Sequence, residues 1–93
     1  MSSRIGTFRR KVALGQYELT GHAKNEMEED GFTIQDVKAA VHSGNIIMTQ
    51  RHGAGRRKCL VRGNATDGRL LDLVCRLSAS GRLRIITVFA VKR

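Results

Sequence analysis

At Gly44 the hydrophobic period of the chain changes from helical to strand-like, and no other feature narrows the choice of fold as much. Before it, Ala23 and Met27 share one helical face, and Ile34, Val37 and Val41 repeat at helical spacing. After it, Leu71, Leu73, Cys75 and Leu77 alternate with Leu70, Asp72, Val74 and Arg76, as the two faces of a strand do. The pattern predicts a helix from His22 to Asp30, stopped by Gly31 in a left-handed conformation. A second helix follows Thr33, where Thr33-Ile-Gln-Asp36 loosely fits a capping box, and closes at Gly44. Four strands are then expected at residues 46–51, 58–62, 69–77 and 83–91, separated by turns at 52–56, 63–68 and 78–81. The last of these is apolar on both faces, the mark of a strand covered on both sides. Two N-terminal helices packed on a four-stranded, mainly antiparallel sheet make an α+β plan.

A chain of 93 residues holds one small domain with a single core. Residues 17–93 carry the periodic patterns, and residues 1–16 read as a basic lead-in, frayed or forming a short helix. No apolar run approaches the ~20 residues that cross a bilayer. The opening stretch also lacks the apolar core of a secretory signal, so a cytoplasmic protein with no membrane partner is expected. Cys59 and Cys75 fall inside apolar strand-like runs and read as reduced core residues. Together with His22, His42 and His52 they show no ligand spacing, so neither a metal nor another cofactor is expected.

Charge is distributed unevenly. Residues 1–42 carry six Lys/Arg and six Asp/Glu, whereas residues 43–93 carry eleven Lys/Arg against Asp67 and Asp72 alone. The whole net charge of +9 thus lies on the strand-forming half. A positive surface of this kind is most often met by the phosphates of RNA or DNA. The alternatives are a solvated basic face or one that docks an acidic protein. Lys58 and Arg62 share one face of the second expected strand, and Arg76 and Arg84 occupy the solvent side of the next two. If the registers cooperate, these four cations meet on one open sheet face, where guanidinium groups bond phosphate oxygens bidentately. As ordinary surface charges they would instead discourage strand-to-strand aggregation. Aromatic residues are few (Phe8, Tyr17, Phe32 and Phe89), which argues against a module that reads single strands by stacking but not against an enzyme that grips the backbone.

His22 opens the first expected helix, with Glu26 and Asp30 one and two turns further along the same stripe. A carboxylate one turn away orients a histidine for proton transfer near neutral pH. Metal-free cleavage of RNA needs a group that takes the 2'-hydroxyl proton and cations for the phosphorane charge. His22 suits the first role, and Lys58 with the arginines the second. Alternatively, His22 is a helix-start residue that bonds backbone.

The order Tyr17-Glu-Leu-Thr20-Gly-His22-Ala23, Met27, Gly31-Phe-Thr33, Val37, Gly44, Gly63, Asp67-Gly68-Arg69 and Ile86-Thr87-Val88 resembles the bacterial family called domain of unknown function 4258. The likeness runs from about Tyr17 to Val91. That family is similar to the RelE-like and BrnT-like toxins of toxin-antitoxin systems, so the resemblance implies a RelE-like fold, a toxin-type endoribonuclease activity on RNA and a zinc-finger antitoxin as partner. By position, His22 matches the family's histidine, and Arg69 and Thr87 match its recurring polar positions. Taken together with the residues read above, the expected catalytic set is His22, Glu26 and Thr87, and the expected phosphate ligands are Lys58, Arg62, Arg69, Arg76 and Arg84. One departure stands out. The family's first helix reads His-Ala-x-x-Arg-Met-x-x-Arg-Gly, and here Glu26 and Asp30 replace both arginines. Acids on that stripe repel phosphate if it faces RNA, so they either orient His22 or belong to a helix turned away from the substrate.

Overall fold

The computed structural model describes residues 4–52 and 56–91. Three helices and five strands follow one another as α1 (Arg4–Ala13), β1 (Tyr17–Leu19), α2 (Gly21–Asp30), α3 (Ile34–Ser43), β2 (Asn45–His52), β3 (Arg56–Asn64), β4 (Leu70–Leu77) and β5 (Leu83–Ala90). The strands form one sheet in the order β1-β5-β4-β3-β2. From β2 to β5 the pairing is antiparallel, and β1 joins β5 in parallel.

The class is the expected α+β, with two corrections: three helices rather than two, and a five-stranded mixed sheet rather than four antiparallel strands. The extra helix arises from Phe8 and Val12, one turn apart and both buried among the cations of residues 4–13. The extra strand has only three residues, too few for an alternation to show in the sequence. Its place is set from outside, by Leu83 N–H donating to the Gln16 carbonyl and Thr20 N–H to the Ile85 carbonyl. Of the turn expected at 52–56, His52 ends β2 and Arg56 begins β3, and residues 53–55 lie outside the described residues.

Local capping decides where the other helices begin and end. Thr20 Oγ1 accepts the Ala23 N–H at 3.1 Å and opens α2. Gly31 closes it at φ 71°, and Phe32 N–H reaches back to the Met27 carbonyl at 2.8 Å. In α3 the Thr33 N–H donates to Asp36 Oδ2 at 2.8 Å. The other oxygen of the same carboxylate accepts the Thr66 hydroxyl and the Thr66 N–H, which ties the start of α3 to the turn between β3 and β4.

One face of the sheet carries the core. Val61, Leu71, Leu73, Ile85 and Val88 are fully buried there against Val37 and Val41 of α3. Cys59 and Cys75 are opposite one another in the β3–β4 register, both buried and both free, and burial pushes the Cys75 thiol up. No described helix is long and apolar enough to cross a membrane.

Asp36 makes the fold sensitive to acid. Its bond from the Thr66 hydroxyl, then that from the Thr33 N–H, hold its carboxyl at about 2, below the usual 3.8. A carboxyl whose pKa is depressed by folding stabilises the protein above its unfolded pKa, and that contribution is lost as pH falls through the folded one. Stability should therefore decline between about pH 4 and pH 2. The Asp36→Asn variant should be less stable at neutral pH by about 1–3 kcal/mol, with a shallower decline in that window. Urea unfolding at a series of pH values checks this, and equal slopes for both proteins would remove Asp36 as the cause.

Candidate nucleic-acid interface

The face of the sheet away from the helices is organised by register into three rows of side chains. At one end Glu18 on β1 pairs with Arg84 on β5, and Arg84 with Arg76 on β4. Lys58 continues this row on β3, because it is the next position of the register that sets Cys59 against Cys75, and it pairs with Gln50 on β2. The middle row is Thr87, Val74, Leu60 and Met48. The far row is Phe89, Asp72, Arg62 and Asn45.

Bulges produce this arrangement. The register slips between Val74 and Cys75, whose partners are Thr87 and Ile85, so Ile86 is the extra residue. Without the slip Thr87 would point with Ile85 into the core. With it, Thr87 joins Arg84 on the open face. The slip also explains why β5 reads as apolar on both sides: Leu83, Ile85 and Val88 face the helices, while Arg84, Thr87 and Phe89 are only half-buried on the other face.

The expected phosphate ligands therefore do not form one group. Arg84 Nη1 lies 3.1 Å from Glu18 Oε1, with both side chains about two-fifths exposed. Arg76 and Lys58 pair with no carboxylate among the described residues. Like charges directly opposed across strands cost stability, so Arg76 beside Arg84 leaves a place that an anion fills favourably. Arg62 is different, since its Nε and Nη2 bind Asp72 bidentately at 2.8 and 3.0 Å. That bond raises the pKa of Arg62 further, and the charge is matched where it stands.

Arg69 lies at the other end of β4 from Arg76, about 20 Å away along the strand. Its Nε binds Asp67 Oδ2 at 2.7 Å, its Nη1 donates to the Asp30 carbonyl at 2.8 Å, and its guanidinium stacks 4.3 Å from the Phe32 ring centre. A cation on the last carbonyls of α2 completes that helix end. The Arg69 backbone N–H, then its side chain, hold the Asp67 carboxyl below the usual carboxylate range.

α2 runs beside the half of β5 that β1 leaves unpaired. Glu26 Oε1 accepts the Val88 N–H at 3.2 Å, Asp30 Oδ2 accepts the Ala90 N–H at 2.9 Å, and the Thr20 hydroxyl donates to the Ile86 carbonyl at 2.8 Å. The two acids that replace the arginines of the family pattern therefore close a sheet edge. Sequence reasoning had no strand register with which to find this, although the one-turn spacing of Glu26 and Asp30 matches the two-residue spacing of Val88 and Ala90. Glu26 serves His22 as well: His22 Nε2 lies 3.1 Å from Glu26 Oε1, with the imidazole 66% exposed and the carboxylate 23%. A proton held on Nε2 toward Glu26 leaves Nδ1 as an acceptor open to a substrate. Glu26 also bonds the residue next to Thr87, so His22, Glu26 and Thr87 all border the bulged stretch of β5. Among the described residues no three His, Cys, Asp or Glu side chains are grouped to hold a metal ion.

Residues 19–90 match the profile of a family described as Domain of unknown function (DUF4258). No curated protein and no solved structure matches the chain.

Proposed function

The chain belongs to the DUF4258 family, and we propose that it is a toxin-type, metal-independent endoribonuclease that holds RNA on the open face of its sheet. One observation carries this reading: Arg84, Arg76 and Lys58 stand in a row with a single carboxylate, on a sheet whose β5 edge carries the exposed His22–Glu26 pair. The row supplies cations for the non-bridging phosphate oxygens, and Val74, Leu60 and Met48 beside it supply apolar surface for ribose and base. His22 Nδ1 takes the proton of the 2'-hydroxyl. The 2'-oxygen forms its bond to phosphorus, the bond from phosphorus to the 5'-oxygen breaks, and the departing oxygen takes a proton from solvent. The products are a 2',3'-cyclic phosphate and a 5'-hydroxyl end. Thr87, turned onto the same face by the bulge, offers its hydroxyl to the phosphate. In a toxin-antitoxin pair the partner would be a zinc-finger antitoxin that covers this face.

A second reading, a non-catalytic module for nucleic acid or an acidic protein, is favoured by the bond from Val88 N–H, which gives Glu26 a structural duty independent of His22. Both readings require the row, so the row is tested first. Replacing Lys58 and Arg84 by alanine removes two phosphate contacts. The slope of log affinity against log salt for single-stranded RNA should then become shallower by about 1.4. An unchanged slope would place RNA elsewhere on the molecule.

A further inference from the structure

Three arginines that pair with no carboxylate among the described residues converge on one cleft at the end of the sheet, beside the start of α1. Arg4 comes from the first turn of α1, Arg57 from the start of β3 and Arg76 from the end of β4. Outside the cleft, Arg62, Arg69 and Arg84 are engaged with acids and Arg9 and Arg82 with backbone carbonyls, whereas Arg10 and Arg51 stand on the exposed surface. In the cleft, by contrast, Arg4 Nη1 has among the described residues only the Cys59 sulfur at 3.7 Å, a weak acceptor. Three guanidinium groups around one opening repel each other unless an anion lies between them.

The opening is larger than a phosphate requires and is not uniformly polar. It encloses about 430 Å³, within the ~300–1,000 Å³ typical of small-molecule sites. Phe8, Cys59 and Leu77 supply apolar lining, and Leu77 remains 43% exposed. Guanidinium planes take phosphate oxygens bidentately and also stack on flat rings, so cations with apolar surface fit a ligand that combines an anion with an aromatic body.

We propose that this cleft is a subsite for one nucleotide, with its phosphate on Arg4, Arg57 and Arg76 and its base laid against Leu77. Arg76 lines the cleft and also stands in the row on the open face. A strand held on the row therefore delivers its next nucleotide to the cleft. That placement within RNA rests on the proposed RNA-binding face, whereas binding of a free nucleotide does not.

Calorimetric titration of the full chain with AMP, and separately with inorganic phosphate, tests the subsite. AMP should bind more tightly than phosphate. The Arg4→Ala/Arg57→Ala variant should weaken AMP binding about tenfold or more. Leu77→Ser should weaken AMP binding and leave phosphate binding as it was. Equal affinity for AMP and phosphate, or AMP binding indifferent to Arg4 and Arg57, would overturn the proposal. RNA titration of Arg4→Ala/Arg57→Ala and of Lys58→Ala/Arg84→Ala separates the two readings. RNA binding lost only in Lys58→Ala/Arg84→Ala would remove the cleft from the RNA path and keep the open face. RNA binding lost only in Arg4→Ala/Arg57→Ala would keep the cleft and remove the open face.

Discussion

Replacing His22 by alanine is expected to slow RNA cleavage about 10²- to 10⁴-fold, the usual contribution of one positioned acid or base, with RNA affinity unchanged. The separation follows from position. His22 is an exposed residue on the edge side of β5, whereas the cations proposed to hold phosphate stand on the open face, so deleting the imidazole would remove the proposed proton acceptor and no proposed phosphate ligand. The fold should tolerate the change, because the cap of α2 is formed by Thr20 and not by His22. Glu26→Gln divides the two duties of that carboxylate. The amide oxygen still accepts the Val88 N–H and so keeps the edge closed, but the negative charge facing His22 is gone. Cleavage that falls in this variant at unchanged thermal stability makes Glu26 a positioning residue. Gel assays of cleavage and of binding on the same RNA measure both effects. Equal cleavage by wild type and His22→Ala would remove His22 from the chemistry.

Gly63→Ala should destabilise the protein at or beyond the upper end of the ~1–3 kcal/mol range of overpacking, lowering the melting temperature by about 10 °C or more. α3 crosses β3 at Gly63 with backbone against backbone. A methyl group there would overlap the Ala40 carbonyl oxygen and stand 2.9 Å from the Ala40 Cα, and none of these atoms can rotate away. Gly44, which caps the end of α3, is also confined, since a Cβ there would lie 2.5 Å from the Ala40 and Arg62 carbonyl oxygens. Gly21 provides the internal control. A Cβ there meets nothing within 4 Å, so Gly21→Ala should be neutral or stabilising by up to about 1 kcal/mol. Thermal unfolding followed by circular dichroism checks the contrast. A Gly63→Ala protein that melts with wild type would show that α3 does not approach β3 so closely.

Features of the fold that depend on neighbours in sequence were legible in it. Gly31 stops α2 and Thr33 with Asp36 opens α3 because those bonds span three to five residues. The alternation of β4 also showed, since its two faces meet different surroundings, core for Leu71, Leu73 and Cys75 and open face for Val74 and Arg76, with Asp72 buried on that second face where Arg62 binds it. What depends on register did not show. β1 is held in place by residues more than sixty positions away, and the bulge at Ile86 that carries Thr87 to the open face exists only relative to β4. The candidate site divides along the same line. His22 and Glu26, one helical turn apart, were found as a pair, and the structure sets them 3.1 Å apart. Grouping Lys58, Arg62, Arg76 and Arg84 required a register the sequence does not display, and Asp72, standing across from Arg62, separates that residue from the others. Arg4 and Arg57 lay in stretches without clear periodicity, so nothing in the sequence joined them to Arg76.

The central claim is that this sheet holds RNA for cleavage by its own 2'-hydroxyl, and the most direct measurement uses one sequence in two chemistries. The purified full chain would be incubated in EDTA with a single-stranded RNA and with the DNA of the same sequence, and both the bound fraction and the ends of any fragments determined. Binding of both, with only the RNA cut and its fragments ending in 2',3'-cyclic phosphate and 5'-hydroxyl groups, is the predicted result. RNA that is bound but left whole, or DNA cut as readily as RNA, would contradict it.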